Sequence, residues 1–271
     1  MSYFEAVSSS NGNNELPSNP CDLLDFSLLS LADGETFESA SGDREVLAVI
    51  MGGKGTFAVN DSTFTDVGER PNVFAGKPHS VYIPCGADYA ITASGDLEVA
   101  LCSAPSDLET DPYVIGPDKI TTGVWGAANF SRDYNQILTS TGQPDLPAAR
   151  LIVGETFTPS GNWSTYPPHK HEKDDLPNEA FHEEMYFFKV DRPEGFGMTR
   201  LYTGDADEIF TVRDNTILMI PKGYHTVVSA PGYTTYYLWI LAGSQRTQAV
   251  INDPEFAWVG ESVPTLKKLG L

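Results

Sequence analysis

The chain has 271 residues, 41% of them hydrophobic and 20% charged, the proportions of a soluble globular protein long enough for one large domain or two ordinary ones. A formal net charge of −20 excludes nucleic acid and anionic membrane as partners, because both select a concentrated positive surface; an anionic substrate would have to be met by local cations against that field. No apolar run approaches the roughly 18–20 residues that span a bilayer, Met1 to Asn14 lacks the blocks of a secretory signal, and three cysteines without a CxxC spacing fit a reducing compartment, so a cytoplasmic location is expected.

In chain order, Val46 to Met51, Val81 to Pro84 and Leu97 to Cys102 read as short strands, rich in β-formers and bounded by Gly, Pro, Asn and Asp. The stretch from about Gly116 to Gln143, rich in Gly, Asn and Ser, reads as a connection. Strands resume at Glu183 to Phe188, Thr216 to Ile220 and Thr234 to Leu241, and helical periodicity is confined to the chain ends. The halves also echo each other. Gly34-Glu35-Thr36-Phe37 recurs as Gly154-Glu155-Thr156-Phe157, Glu45-Val46-Leu47 resembles Glu184-Met185-Tyr186, and Ile83-Pro84-Cys85-Gly86 resembles Ile220-Pro221-Lys222-Gly223. An all-β fold of two tandem jelly-roll barrels with few short helices is expected, divided into residues 1–130 and 131–271.

The chemistry concentrates in the second half, which holds four of the five histidines (His169, His171, His182 and His225). In Tyr166-Pro167-Pro168-His169-Lys170-His171 the two imidazoles lie two residues apart, and such side chains leave a strand on the same face. Glu183-Glu184-Met185-Tyr186 supplies a carboxylate from a strand, and Pro221-Lys222-Gly223-Tyr224-His225 is a tight turn that delivers a third imidazole. Three nitrogens and one oxygen, from His169, His171, Glu184 and His225, suit a divalent transition metal with positions left open for substrate; manganese, zinc and iron all qualify. At the position of His225 the first half carries Asp88, and no His-x-His precedes Glu45, so the first barrel is expected to be metal-free. His182 is expected to be an exposed residue of the insertion between His171 and Glu183.

This order of His-x-His, Glu, Gly and Pro-x-Gly followed by His resembles the metal-binding motifs of the cupin superfamily, and the doubled barrel resembles a bicupin. The run Gly154 to Ser164 leading into Tyr166 to His171, Gly195-Phe196-Gly197 with Arg200 and Tyr202, Pro221 to His225, and Ala230-Pro231-Gly232-Tyr233 is similar to the 5-deoxyglucuronate isomerase family of inositol catabolism, as are Val73 to Pro78 and Leu101 to Pro105 in the first half, so the resemblance covers nearly the full chain. The choice of Glu184 over Glu183 as ligand follows that alignment and the Glu-x-Tyr context. The resemblance implies a metal-dependent isomerisation of 5-deoxy-D-glucuronate to 5-dehydro-2-deoxy-D-gluconate.

Moving a carbonyl to the neighbouring carbon removes a proton α to it and returns one at the next carbon, through an anionic enediolate. Proton-shuttle candidates are Glu183, Tyr202 and Tyr237, with Tyr224 as a further tyrosine; Glu183 is disfavoured because neighbouring strand residues face opposite ways. Arg200 is the candidate for the substrate carboxylate, by its bidentate fork, with Lys222 second. The expected partner is a small anionic sugar acid, and a homo-oligomer is compatible with the sequence. The competing readings are a 4-deoxy-5-keto uronate isomerase, a cupin dioxygenase, and a non-catalytic sugar-binding bicupin.

Overall fold

The computed structural model describes residues 2–271, built from antiparallel strands with one α-helix, Ala257–Lys268. A six-stranded sheet runs Tyr113–Ile115, Ser80–Ile83, Arg44–Gly52, Leu97–Pro105, Asp25–Leu31, Gly12–Glu15, and faces a four-stranded sheet of Thr36–Ala40, Asp88–Ala93, Gly55–Val59 and Ser62–Val67. A seven-stranded sheet runs Phe4–Ala6, Thr216–Ile220, His182–Val190, Thr235–Gly243, Ile152–Thr158, Arg132–Leu138, Thr121–Trp125. It faces a five-stranded sheet of Asp207–Val212, Gly197–Tyr202, Tyr224–Ser229, Trp163–Lys170 and Ile251–Asn252. No helix among the described residues is long and apolar enough to cross a membrane.

Strand alternation explains why there are three cores. In Arg44–Gly52, Val46, Ala48 and Ile50 point into the first barrel, while Leu47, Val49 and Met51 point at the second. In His182–Val190, Tyr186, Phe188 and Val190 fill the second barrel, while Met185 and Phe187 return the contact. The six- and seven-stranded sheets thus press apolar faces together, and their central strands read as nearly unbroken hydrophobic runs because both faces are buried.

Three expectations need correction. Two strands cross the division at residue 130, since Phe4–Ala6 pairs with Thr216–Leu218 and Thr121–Trp125 pairs with Arg132–Gln136 in the second barrel's sheet. The stretch 116–143 therefore carries two paired strands, Thr121–Trp125 and Arg132–Leu138, with Gly126 in the turn between them. The Gly-Glu-Thr-Phe match is accidental: residues 34–37 sit in a turn and strand start, where Gly34 has φ +77°, whereas 154–157 lie inside a central strand.

The true equivalence emerges from pairing. Ile83 pairs with Val46 and Ile220 pairs with Glu184, so Val46, not Glu45, occupies the place of Glu184. Glu45 is the counterpart of Glu183, and the two do the same job. The Glu45 carboxylate accepts the backbone N–H groups of Ala149, Arg150 and Leu151 at 2.6–2.8 Å, and Glu183 accepts those of Asp22, Leu23 and Leu24 at 2.7–3.2 Å. Each barrel thereby clamps the chain where it enters the first core strand of the other. Glu183→Gln, which keeps the shape but halves the acceptor capacity, should lower unfolding free energy by about 2–4 kcal/mol. Urea denaturation checks this, and the metal-binding capacity of the folded variant should match that of the parent.

Candidate metal centre

The strand Trp163–Lys170 is interrupted by a bulge. Ser164 pairs with Val227 and His169 with His225, and the extra residues include Thr165 at φ +52° and Pro167 and Pro168, which have no N–H for the ladder. The bulge brings His169 directly opposite His225. His171 lies just past the strand end, and the following loop folds back so that the His182 N–H donates to the His171 carbonyl at 3.0 Å while His171 Nδ1 donates to the His182 carbonyl at 2.7 Å. That reciprocal pair spans the insertion and sets Glu184 beside His171. The turn before His225 requires Gly223, at φ +106° with the Tyr202 carbonyl 2.8 Å from any added Cβ, and its own carbonyl accepts from His225 Nδ1 at 3.2 Å.

Both Nδ1 atoms are thus held by backbone carbonyls, which leaves the Nε2 atoms for the pocket, the arrangement that orients metal-bound imidazoles. Ligand atoms of His169, His171, Glu184 and His225 all lie within 4.8 Å of one another. His171 Nε2 is 3.0 Å and His225 Nε2 3.1 Å from the same Glu184 oxygen, and His225 Nε2 is buried without a well-formed hydrogen bond. A buried, unsatisfied imidazole nitrogen facing two more imidazoles and a carboxylate fits a divalent cation, and the group could hold one.

The electrostatics agree. Burial would raise the Glu184 carboxyl, but the hydrogen bond with His171 and the adjoining His225 imidazole outweigh it and hold the group well below the usual carboxylate range. Burial and the neighbouring His225 and His171 push His169 well below an ordinary imidazole; for His171 burial is overcome by Glu184, and its pKa is raised. His169 is thus kept neutral with a free lone pair, while Glu184 draws His171 toward its charged form, a proton that a bound cation would have to displace.

The cluster opens into a cavity of about 370 Å³ walled by Trp125, Tyr166, Tyr186, Tyr237 and Trp239, with the C-terminal helix contributing Gly260 and Val263. Of the shuttle candidates, Tyr237 lines it, its hydroxyl in a short hydrogen bond with Ser164. Glu183 does not, being turned toward the first barrel. Tyr202 lies on the outer face, bonded to Asp253 and stacked on Tyr224 at 5.4 Å. Arg200 is also outside, paired with Asp207 at 2.7 Å and lying over the Tyr202 ring at 4.0 Å, and Lys222 is exposed on the turn. One physical reason covers Arg200 and Tyr202: Leu201, the residue between them, pairs with His225 and faces inward, so its neighbours face out.

Several lining residues escaped the sequence reading. Tyr186 and His182 flank Glu184 at two-residue spacing on the same strand face, a signal that alternation alone could have supplied. His182 is buried, with Nε2 donating to the Gln245 carbonyl at 2.9 Å, and is not the exposed loop residue expected. Arg132 had no such signal, because only the hairpin with Thr121–Trp125 carries it to the cavity.

Two antiparallel barrels in tandem, with a three-histidine, one-glutamate cluster in the second, define a bicupin. The fold comparison agrees: Lactobacillus farciminis oxalate decarboxylase superposes with a TM-score of 0.66 at 12% identity, over 100% of this chain and 94% of that one. The chain belongs to the KduI/IolB family, whose model matches residues 10–259. It is 38% identical over 244 residues to the 5-deoxy-glucuronate isomerase of Geobacillus kaustophilus, covering 89% of this chain and 87% of that one. It is 39% identical to the protein of the same name from Bacillus subtilis strain 168, with 88% of each chain covered. The crystal structure of an IolB-like protein from Salmonella typhimurium LT2 matches with a TM-score of 0.89 and 30% identity, over 96% of this chain and all of that one.

The cavity wall itself can be tested. A Cβ on Gly154 would lie 2.0 Å from Trp239 Cζ2 and 2.6 Å from the Asn135 carbonyl, so Gly154→Ala must displace the indole that lines the pocket. A cost of about 1–3 kcal/mol is expected in urea unfolding, with a changed tryptophan near-ultraviolet signal.

Proposed function

We propose that this chain isomerises 5-deoxy-D-glucuronate to 5-dehydro-2-deoxy-D-gluconate, using a divalent manganese, zinc or iron ion held by His169, His171, Glu184 and His225. The observation that carries this reading is the buried cluster, whose ligand atoms lie within 4.8 Å of one another in a walled cavity. The named activity of the relatives identifies the substrate. Such an ion, when bound, supplies a Lewis acid for the oxygens on which charge develops.

The rest is the work of the chain. Glu184 is the only carboxylate among the lining residues, so the centre keeps a net positive character suited to an enediolate. The rings of Trp125, Trp239 and Tyr166 keep bulk water from that charge, which strengthens every interaction inside. Tyr237 is held protonated: burial raises its pKa, and Arg132 and its hydrogen-bond partners only partly oppose the rise. It can therefore donate a proton to a developing oxyanion as a general acid, and of the three candidates it alone lines the cavity. The first barrel is a structural partner. Its positions matching Glu184 and His225 are Val46 and Tyr89, the latter replacing the Asp88 expected from the turn sequence because Tyr89 pairs with Val59 as His225 pairs with Leu201, and both side chains pack in that barrel's core. The free cysteines Cys21, Cys85 and Cys102 accord with work in the cytoplasm.

Purified protein should carry one divalent ion per chain by elemental analysis. His171→Ala should lose the ion and more than about 100-fold in activity together; full occupancy in that variant would remove His171 from the ligand set.

The reaction is tested by incubating the metal-loaded protein with 5-deoxy-glucuronate in deuterium oxide and following the carbonyl by NMR. The aldehyde signal should give way to a ketone, with deuterium at the former aldehyde carbon. Product without any solvent deuterium would point to direct hydride transfer, and no conversion, with turnover of a 4-deoxy-5-keto uronate instead, would reassign the substrate.

A further inference from the structure

The cavity has one cation in its wall. Among the described lining residues Arg132 is the only lysine or arginine. It pairs across the hairpin with Trp125 and its guanidinium lies over that indole at 5.5 Å. Nη1 reaches the Phe130 carbonyl only at 3.5 Å, and Nε is buried with no acceptor. A guanidinium presents its donors as a rigid planar fork, and a buried N–H left without an acceptor is costly. The arrangement persists because the turn is built for it. Gly126 has φ +80°, and a Cβ there would sit 2.1 Å from the Phe130 oxygen and 3.1 Å from Arg132 Nη1.

Two other arginines, Arg70 in the core and the half-buried Arg246, show what is unusual in the half-buried Arg132. Arg70 has a counterion, its Nη1 2.9 and 3.1 Å from the two Glu155 oxygens; burial lowers its pKa, but Glu155 more than compensates and the net shift is upward. Arg246 is anchored through Nε on the Leu151 carbonyl at 2.9 Å and is not part of the cavity wall. Arg132 has neither. Burial lowers its pKa, and only Tyr237 and Tyr186 oppose this. An uncompensated guanidinium, facing the same cavity as three imidazoles in a chain of net charge −20, is a place prepared for an anion.

We infer that Arg132 binds the carboxylate of the sugar-acid substrate through the Nε edge of its fork, and so selects acids over neutral sugars. The identity of the acid rests on the isomerase reading; the demand for an anion rests on the geometry. In 5-deoxy-glucuronate the carboxylate is at the opposite end of the carbon chain from the reacting aldehyde, so an anchor there would position the aldehyde at the imidazole cluster without entering the proton transfer.

The test compares binding of D-glucuronate and its neutral amide, D-glucuronamide, to the metal-loaded protein by isothermal titration calorimetry. The parent protein should prefer the acid by about 30-fold or more, and Arg132→Gln should abolish the preference by weakening acid binding while changing amide binding less than about 3-fold. Arg132→Lys, which keeps the charge without the fork, should fall between. In turnover of 5-deoxy-glucuronate the glutamine variant should raise KM far more than it lowers kcat. No preference in the parent, or the same preference in both variants, would overturn the inference. Should glutamine unfold the protein, the lysine variant decides alone, and parental discrimination there counts against it. Intact discrimination with no turnover by the parent protein would uphold the anion site and reject the isomerase reading.

Discussion

The strand His182–Val190 serves two cores at once, and the rest of the architecture follows from that constraint. Because side chains alternate, Glu184, Tyr186 and Phe188 are committed to the barrel interior while Glu183, Met185 and Phe187 are committed to the seam with the first barrel. A slip of one residue would bury the Glu184 carboxylate in an apolar interface and turn Glu183 into the pocket. The three backbone N–H groups of residues 22–24 that meet Glu183 fix the register against such a slip. A structural carboxylate thus stands guard for the candidate metal ligand beside it.

The two barrels show the same device twice and the same chemistry once. Glu45 mirrors Glu183, tying down residues 149–151, so the seam is clamped from both sides. Between the clamps, Arg70, Glu155, Asn135 and Tyr236 form a buried polar network in the otherwise apolar seam, with Asn135 Nδ2 and the Tyr236 hydroxyl at 2.7 and 2.9 Å from Glu155. Such a network is costly if any member is lost and therefore specifies one mutual arrangement of the barrels. Inside, they diverge. Val46 and Tyr89 fill the first barrel where Glu184 and His225 leave space and lone pairs in the second.

What the sequence could convey depended on the range of the interaction. His169, His171 and His225 announce themselves because His-x-His and Pro-x-Gly turns are local patterns, whereas Glu184 is told from Glu183 only by the family resemblance; the strand-rich, turn-rich texture of the chain suffices for a doubled all-β barrel. Faces of strands are readable only once the register is known. Arg200 and Tyr202 belong to the right strand but the wrong side, because Leu201 and not its neighbours is paired with His225. Arg132 depends on strand order, which no local pattern encodes, and the repeated Gly-Glu-Thr-Phe shows how a short identity can mislead when one copy is a turn and the other a core strand whose glycine makes room for Trp239.

The proposed metal centre, with imidazole and carboxylate ligands, belongs to the second barrel alone. X-ray absorption at the metal edge of purified protein tests it most directly. One ion per chain is expected, with three imidazole nitrogens and at least one carboxylate oxygen in its shell, unchanged when Glu45 is replaced by glutamine and lost when His225 is replaced by alanine. A shell with fewer imidazoles, a sulfur ligand, or a second ion that survives the His225 substitution would contradict it.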